Sequence, residues 1–503
     1  MTAIDGTLVQ TAFQDSPSVA AILKSPREFT RETLAGVVTA LALIPEVISF
    51  SFVSGVDPKV ALFSSITLGL VMSVLGGRPG MVTAAAGSVA LVIGPMVKTC
   101  GTGYILPTII LAGAVQIAFG LLGMARLSRF IPRSVMIGFV NSLGILIFSA
   151  QVPHILNVPW AVYPLFALTI AIVLLAPRLM TMIPAPLIAV VIATAIVMSG
   201  HLAVPNVGGE SGAMASGLPD VTALTVPLNL GTLRIIWPTA LSVAFVGLLE
   251  TLLTAKLVDE VTDTRSHKGK ESWALGIANI ATAFYGGIAG CAMIAQTVVN
   301  VRIGGGRSRL STAAAAIVLL LLVTALSSLM VQIPLVALAA VMMIAAARTF
   351  DWHSVRPATL RRMPLSESAV MVTTVIITVA SGNLAFGVGG GVLLAMVLFA
   401  RRVAHVIRVD RATSEDGTAV HYAVHGPLFF GSSNDLVEQF SFADDPANIT
   451  IDLTHSQVWD ASSVAALDAI ETKYRSHGST MVLTGLDPRS LAFHERLTGQ
   501  LQG

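Results

Sequence analysis

The chain has 503 residues, of which 54% are hydrophobic and 12% are charged, with a mean hydropathy of +0.80 and a formal net charge of +2. Soluble domains carry about a quarter charged residues, so this composition indicates a polytopic membrane protein. The net charge is uninformative, and no basic cluster points to a nucleic-acid partner. The two cysteines, Cys100 and Cys291, exclude a disulfide framework, and we expect both to pack in apolar surroundings.

The N-terminal region, residues 1–30, is polar and is expected to form a partly helical cytoplasmic segment. Met1 to Lys24 lacks a basic start followed by an apolar core, so we expect no cleavable signal peptide. The first membrane helix would then act as its own insertion signal.

A predicted transport domain occupies residues 31–402. A membrane-spanning helix needs about 20 apolar residues, and this region contains fourteen candidate segments, several of them short. Seven lie in 31–200 and seven in 235–402, separated by a polar, Gly- and Pro-rich linker at 201–234. The candidates are 32–54, 60–76, 82–98, 104–125, 133–151, 160–177, 183–200, 235–256, 272–285, 288–302, 311–329, 333–347, 367–383 and 384–400.

The distribution of Lys and Arg supports this topology. Alternating the fourteen segments from a cytoplasmic N-terminus places 22 basic residues inside and only Lys59, Lys98 and Arg234 outside. Both termini would then be cytoplasmic. Because seven is odd, the second half must be inverted relative to the first, which predicts an inverted-repeat architecture.

Two short hydrophobic segments interrupted by glycine occur in corresponding halves, at Val82–Met96 and Gly286–Gly306. The helical part of the second, Ala292–Asn300, is only about half the length of a membrane crossing. Such a pair of broken segments is the best pointer in a sequence to the binding site of a transporter.

The C-terminal region, residues 403–503, has the composition of a soluble domain. We predict strands at His421–Val424, Ile449–Leu453 and Met481–Thr484, and an amphipathic helix at Ser463–His477, which indicates a small α/β domain. The chain contains no phosphate loop, catalytic constellation or metal-ligand spacing. We therefore expect neither an enzyme nor a cofactor.

Several stretches together resemble a known family, the SulP anion transporters, which are sulfate-permease-like proteins with a C-terminal STAS domain. The chain is similar to a bacterial member from about Glu32 to Leu497. The stretches are IPEVISFSFVSGVDPKVALFSS (Ile44–Ser65), ALSVAFVGLLETLLTAKLVDE (Ala240–Glu260), HKGKESWALGIANIATAFYGGIAG (His267–Gly290), GPLFFGSSNDL (Gly426–Leu436) and IDLTHSQVWDASSVAAL (Ile451–Leu467).

This resemblance implies an all-α membrane domain of seven plus seven inverted spans, divided into a core and a gate that move as an elevator, followed by an α/β STAS domain. It also implies that the third and tenth spans are half-helices whose N-termini point N–H groups at one anion. Each small residue there has close helix packing as its alternative role. The matching positions are Gly87, Ser88, Val89, Ala90, Ile294, Ala295, Gln296 and Thr297.

The chain departs from the family in two parts of the predicted site, the start of the tenth span and Glu46 in the first span. Relatives usually have Ser-Arg-Thr/Ser where this chain has Ala295, Gln296 and Thr297, so a positive charge is missing from the site. Most relatives also have glutamine where this chain has Glu46. A carboxylate at mid-span costs about 2.5–3.5 kcal/mol, so intramembrane acids are functional by default. We hypothesise that Glu46 takes up a proton with the anion; its alternative role is a structural acid that caps a broken helix.

Three further positions follow from the resemblance. Phe50 matches a residue that lines the anion pocket, or else is an ordinary packing aromatic. Glu250 and Thr254 match a pair that binds sodium in some members; a proton site or a structural pair is the alternative. In the STAS domain Ser462 matches a regulatory phosphorylation site, although we expect the turn Asp460–Ser463 mainly to start a helix, with Ser462 or Ser463 as its N-cap.

These observations predict a secondary active transporter of small anions in the cytoplasmic membrane. The missing arginine and Glu46 favour proton-coupled symport of a carboxylate or dicarboxylate over sulfate. Sodium-coupled bicarbonate or sulfate transport, an anion channel, and a receptor or scaffold on the same fold are the alternatives. We expect a homodimer in the lipid bilayer, with a cytoplasmic protein as a candidate partner of the STAS domain.

Overall fold

The structure is a computed structural model that describes residues 17, 19–125, 131–156, 158–179, 183–211, 220–227, 229–404 and 407–500. More than half of the predicted N-terminal segment and part of the 201–234 linker lie outside the described residues. The chain separates into two compact units, Met1–Val392 and Leu393–Gly503.

The first unit is built almost entirely of helices. Each of the fourteen predicted spans coincides with a helix. The helices are α1 (Val19–Leu23), α2 (Pro26–Ser54), α3 (Pro58–Leu75), α4 (Gly87–Cys100), α5 (Ile105–Leu121), α6 (Arg133–Gln151), α7 (Val162–Leu179), α8 (Ala185–Ser199), α9 (Val207–Ser211), α10 (Leu230–Thr262), α11 (Lys268–Ala283), α12 (Ile294–Val298), α13 (Arg309–Ala325), α14 (Ser327–Met330), α15 (Leu335–Thr349), α16 (Pro357–Arg362), α17 (Leu365–Ser381) and α18 (Leu384–Ala404), the last of which continues into the second unit.

Within the described residues, six helices are long and apolar enough to cross a membrane, and six shorter apolar helices accompany them. The number of crossings therefore stays a prediction. The third and tenth predicted spans are the exceptional ones, because each begins with a three-residue strand. These strands are β1 (Thr83–Ala85) and β2 (Gly290–Ala292), and α12 continues into a π-helical turn at Val299–Ile303.

The helices of the first unit pack in two groups. One group contains α2 to α5 and α10 to α13, in which α13 packs on α2 and α3 while α5 packs on α10 and α11. In an inverted repeat, α2, α3 and α5 of the first half correspond to α10, α11 and α13 of the second. The packing of α13 on α2 and α3 is therefore equivalent to the packing of α5 on α10 and α11. The other group contains α6, α7, α8, α15 and α17. Its described contacts with the first group run mainly through α2 and α4.

The helix that carries Glu46 has clear local signals. It begins with Pro26 in its first turn, where a missing N–H costs nothing, and it ends at Gly55, which has a φ of 71°. Pro45 lies inside the helix and removes one backbone hydrogen bond immediately before Glu46. This weakens the helix ladder at the residue predicted to titrate.

The second unit contains a four-stranded sheet with strand order β3-β4-β5-β6, in which only the β3/β4 pair is antiparallel. The three predicted strands and the predicted helix each coincide with one of its elements. These are β3 (Arg408–Thr413), β4 (Ala419–Leu428), α19 (Ser433–Glu438), β5 (Asn448–Val458), α20 (Ala461–Ser476), β6 (Thr480–Thr484) and α21 (Pro488–Leu497).

The turn before α20 corrects one expectation. The N-cap is Asp460, whose Oδ1 accepts hydrogen bonds from the backbone N–H of Ser463 (3.0 Å) and from its hydroxyl (2.9 Å). Neither Ser462 nor Ser463 caps the helix, because the longer acidic side chain already reaches the first turn. The hydroxyl of Ser463 is buried, whereas Ser462 is exposed.

A buried carboxylate ties the second unit together. Asp445 has no exposed side-chain surface, and its Oδ2 accepts from the phenol groups of Tyr422 (2.5 Å) and Tyr474 (2.6 Å). Its Oδ1 accepts from the Arg411 guanidinium at 2.8 Å. Burial raises the pKa of Asp445, but these hydrogen bonds outweigh it, and the net result is a pKa below the ordinary value.

We expect Asp445→Asn to destabilise this unit by about 3 kcal/mol, because the amide cannot accept from all three charged or phenolic donors. A carboxylate with a lowered pKa stabilises the fold above its unfolded-state pKa, and this stabilisation is lost as the pH falls through the folded-state pKa. Hydrogen exchange of β4 and α20 in the full chain should therefore show lost protection in Asp445→Asn, and an acid-dependent loss in the wild type that this variant lacks. Asp444→Asn, at an exposed neighbouring position, should behave as the wild type; equal loss in both variants would contradict this role for Asp445.

Candidate functional site

The two half-helices start from one small antiparallel ladder. β1 pairs with β2 in the register Thr83↔Ala292, Ala84↔Cys291 and Ala85↔Gly290. The Met293 N–H extends the ladder by donating to the Val82 carbonyl at 2.9 Å. α4 and α12 each begin after a single linking residue, so they run away from the ladder in opposite directions and leave their N-termini beside it.

The first turns of both helices offer free backbone donors. In α4 the first N–H with a carbonyl partner is that of Ala90, which bonds Ala86 O at 2.9 Å; in α12 it is that of Thr297, which bonds Met293 O at 3.0 Å. Within the described residues, the three N–H groups that precede each of these have no hydrogen-bond partner, and neither helix has a side-chain cap. Gly87 and Ser88 are buried, and an uncapped buried helix end calls for a ligand.

Two predicted site residues instead hold the ladder in place. The Thr297 hydroxyl oxygen accepts from the Val82 N–H at 3.0 Å. The Thr254 hydroxyl on α10 lies 3.1 Å from the Ala292 carbonyl oxygen and 2.8 Å from the Glu250 carbonyl oxygen. The hydroxyl groups of these two threonines are therefore hydrogen-bonded to backbone groups. A sodium ion at Thr254 would have to compete with these hydrogen bonds. The backbone N–H of Ala90 is also already bonded, to the Ala86 carbonyl.

A further polar group in this frame was missed by the sequence analysis. Asn279 on α11 accepts from the Gly290 N–H at 2.8 Å and donates to Gln116 Oε1 on α5 at 2.8 Å. Gly290 is required here, because an added Cβ would lie 2.1 Å from the Ala84 carbonyl oxygen. An amide in the apolar second half of α11, close to the glycine-rich stretch, is the signal that could have identified Asn279.

Glu250 is buried, and one of its two carboxylate oxygens accepts two hydrogen bonds. The Ser88 hydroxyl donates to its Oε2, and the Cys291 thiol donates to the same oxygen at 3.1 Å. Ser88 therefore directs its side chain to Glu250, and only its backbone N–H is available to a ligand. Cys291 is a hydrogen-bond donor as well as a packing residue, and Cys100, expected in apolar packing, is exposed.

Glu46 and Phe50 lie one turn apart on the same face of α2. This face contacts α4 through Phe50 and α12 through Glu46. Glu46 is half-buried, and the side-chain amide of Gln296, in the first turn of α12, lies against its carboxyl group. The Phe50 ring is buried against Gly87, the first residue of α4. A Cβ at Gly87 would lie 2.5 Å from Phe50 Cε1.

The charges around these helix ends are unusual for an anion site. The only basic side chains on the two half-helical segments are Lys98, in the last turn of α4, and Arg302, in the π-helical turn. Neither is at an N-terminus, so backbone dipoles are the source of positive potential at the site. Within the described residues, no group of three or more His, Cys, Asp or Glu side chains is arranged to hold a metal ion.

The site is enclosed unevenly. Val89 and Ala90 are fully buried behind the α4 terminus, and Gln296 is 2% exposed. Ile294 is half-buried and Ala295 is exposed, so the α12 terminus is the open side. The structure therefore brings Glu46, Phe50, Gly87 and Gln296 together around six unused N–H groups.

Family profiles match most of the chain. The profile described as "Sulfate permease family" matches residues 29–163 and 158–374, and the profile described as "STAS domain" matches residues 411–497.

Individual proteins match over nearly their whole length. A Bacillus subtilis (strain 168) protein named "Putative sulfate transporter YbaR" is 44% identical and covers 93% of this chain and 96% of its own. The Synechocystis "Bicarbonate transporter BicA" is 25% identical, covering 88% of this chain and 86% of its own. The structure of the murine Solute Carrier 26 member A9 anion transporter superposes with a TM-score of 0.81 at 17% identity, covering 97% and 92% of the two chains, which shows a shared fold.

Proposed function

Because this chain belongs to the sulfate permease family and carries a C-terminal STAS domain, we propose that it is a secondary active transporter that moves a small anion across the cytoplasmic membrane. The observation that carries the proposal is the pair of uncapped half-helix N-termini at Gly87–Val89 and Ile294–Gln296. Their N–H groups bind an anion without a fixed cation, as helix N-termini do in many proteins. Family members are transporters, and the chain is not an enzyme.

Proton coupling at Glu46 follows from the charge balance. The site has no arginine, and an ionised Glu46 beside a bound anion would repel it at short range in a medium of low dielectric constant. Protonation removes this repulsion, so binding of a proton and an anion is mutually favourable. We therefore assign Glu46 as the proton carrier and expect symport.

The substrate class is a carboxylate or dicarboxylate. A carboxylate presents two oxygens to N–H donors from both helices, and its charge is matched by the proton on Glu46. The names of the relatives point to two other anions, sulfate for the Bacillus protein and bicarbonate for the cyanobacterial one. Bicarbonate, with sodium as the coupling ion, is the second candidate.

The two helix groups of the first unit support an elevator-like movement. Both half-helices and the ladder belong to the group that contains α2 and α10, so an anion bound between them would travel with that group. The other group, with α6, α15 and α17, would form the gate and the contact of a homodimer. The STAS domain would serve assembly or regulation.

Uptake into proteoliposomes tests the proposal. We expect labelled succinate to accumulate several-fold when the outside is acidic, to saturate, and to exchange against unlabelled succinate inside. Replacing sodium with choline should change nothing, because the Thr254 hydroxyl is already bonded to backbone carbonyls. Accumulation driven by sodium and not by the pH gradient would favour the bicarbonate alternative, and large unsaturable currents would favour a channel.

A further inference from the structure

The side-chain amide of Gln296 is buried and lacks a partner at one end. It is 2% exposed, and it lies against the Glu46 carboxyl group. A carboxylate can only accept, so the Gln296 group that faces an ionised Glu46 is the Nε2 amide, which donates. The opposite end, Oε1, is buried without a hydrogen-bond partner. An unsatisfied buried acceptor costs about 1–3 kcal/mol, so it requires an explanation.

The unused oxygen has the wrong polarity for an anion site. The neighbouring Ile294 and Ala295 N–H groups lie in the same first turn and attract negative charge, whereas Oε1 carries partial negative charge. While Glu46 is ionised, Gln296 therefore adds an acceptor to a site otherwise made of donors. Both the acid and the amide oxygen then oppose anion binding.

Protonation of Glu46 reverses this arrangement. A protonated carboxyl group has an O–H that can donate to Gln296 Oε1. Rotation of the amide by about 180° around its last bond barely changes its shape and exchanges the two ends. Oε1 would then be satisfied by Glu46, and the two Nε2 hydrogens would be available to the anion.

We propose that Gln296 is a positioning residue that converts the protonation state of Glu46 into anion affinity by reversing its side-chain amide. This inference rests on the proposed function and specifies how its proton and anion are linked. The amide acts as a switchable donor in the place where the family usually has a permanently charged arginine. The proton thus contributes twice, by removing a negative charge and by presenting a new N–H donor.

Other charged groups around Glu46 do not offer an equivalent switch. Glu250, on α10, already accepts hydrogen bonds from Ser88 and Cys291 through Oε2. The charged residues on α2 and on the elements packed against it lie in the first two turns of α2, in the terminal turns of the other helices or in the π-helical turn: Arg27, Glu28, Arg31 and Glu32 on α2, Lys59 on α3, Lys98 on α4, Arg302 after α12, Arg309 on α13 and Arg348 on α15.

The test is the pH dependence of anion binding to the purified full chain. Binding of labelled succinate is measured at an acidic and an alkaline pH on either side of the wild-type transition, and the ratio of the two dissociation constants is called the pH swing. Gln296→Met keeps the length of the side chain and removes the amide. We expect this variant to lose about tenfold in affinity at acidic pH and about tenfold in pH swing, since one hydrogen bond to a charged group is absent.

A second variant keeps the test decisive if the methionine is not tolerated. Gln296→Arg supplies a donor that cannot reverse, so only the charge of Glu46 should still respond to pH, and the pH swing should shrink. A pH swing like that of the wild type in either variant overturns the proposal.

Glu46→Gln separates this inference from the proposed function. If Glu46→Gln keeps the wild-type pH swing, proton coupling at Glu46 is wrong and the amide switch fails with it. If Glu46→Gln abolishes the swing and Gln296→Met preserves it, the proton acts by charge alone, and only the amide switch is wrong.

Discussion

An alanine at Gly87 is expected to abolish anion transport. Its Cβ would lie 2.5 Å from Phe50 Cε1 and 2.8 Å from Phe50 Cζ, closer than such atoms approach in proteins. Phe50 is 4% exposed, so the ring has little room and must be pushed across the free N–H groups of α4. We expect succinate uptake to fall at least about a hundredfold, while overpacking costs about 1–3 kcal/mol of stability.

Two variants show whether the effect is local. Gly389→Ala, on α18, meets nothing within 4 Å and should transport normally. Phe50→Leu in the Gly87→Ala background removes part of the ring and should restore a measurable fraction of uptake. Normal transport by Gly87→Ala alone would show that the α4 N-terminus does not contact the anion.

Glutamine at Glu46 is expected to eliminate the dependence of transport on the pH gradient. The amide imitates a permanently protonated acid, so succinate exchange should continue while accumulation driven by protons is lost. In the wild type, one linked proton changes affinity by up to about tenfold per pH unit, with tighter binding at lower pH. Proteoliposome exchange and gradient-driven uptake, measured over a pH series, give both quantities.

Glu250→Gln is the matched comparison, because Glu250 is the rival coupling residue. Its carboxylate accepts from Ser88 and Cys291, so we expect the amide to weaken the local packing and to leave the pH dependence in place. Loss of the pH dependence in Glu250→Gln together with its retention in Glu46→Gln would move the proton carrier from α2 to α10.

Much of the fold is accessible from the sequence, because its signals are long and redundant. Hydrophobic segments, basic loops and the glycine-rich breaks locate the spans, and the alternation of apolar residues locates β4, β5 and β6. The glycine-rich breaks indicate two short helices, and the resemblance to the family indicates that they start at Gly87 and Ile294, as α4 and α12 do. Strands β1 and β2 are not indicated by the sequence, since three residues of Thr, Ala, Gly or Cys carry neither alternation nor strong β-propensity.

The candidate site is only partly accessible, because its details depend on contacts between distant parts of the chain. Ser88 was predicted at the anion site without a role for its hydroxyl, which donates to Glu250, 162 residues away in the sequence. The same reason applies to Thr297 and Thr254, whose hydroxyl groups find backbone partners. The pairing of Glu46 with Gln296 joins the two departures from the family that the sequence shows separately.

The ladder between β1 and β2 also has a consequence for biosynthesis. Val82 and Thr297, which it brings together, are 215 residues apart, so the first half-helix is made long before the second. A chain synthesised only as far as the linker has one of the two helix ends and an unpaired strand beside it. The proposed anion site, which needs both helix ends, is therefore complete only after the second half of the chain has been made.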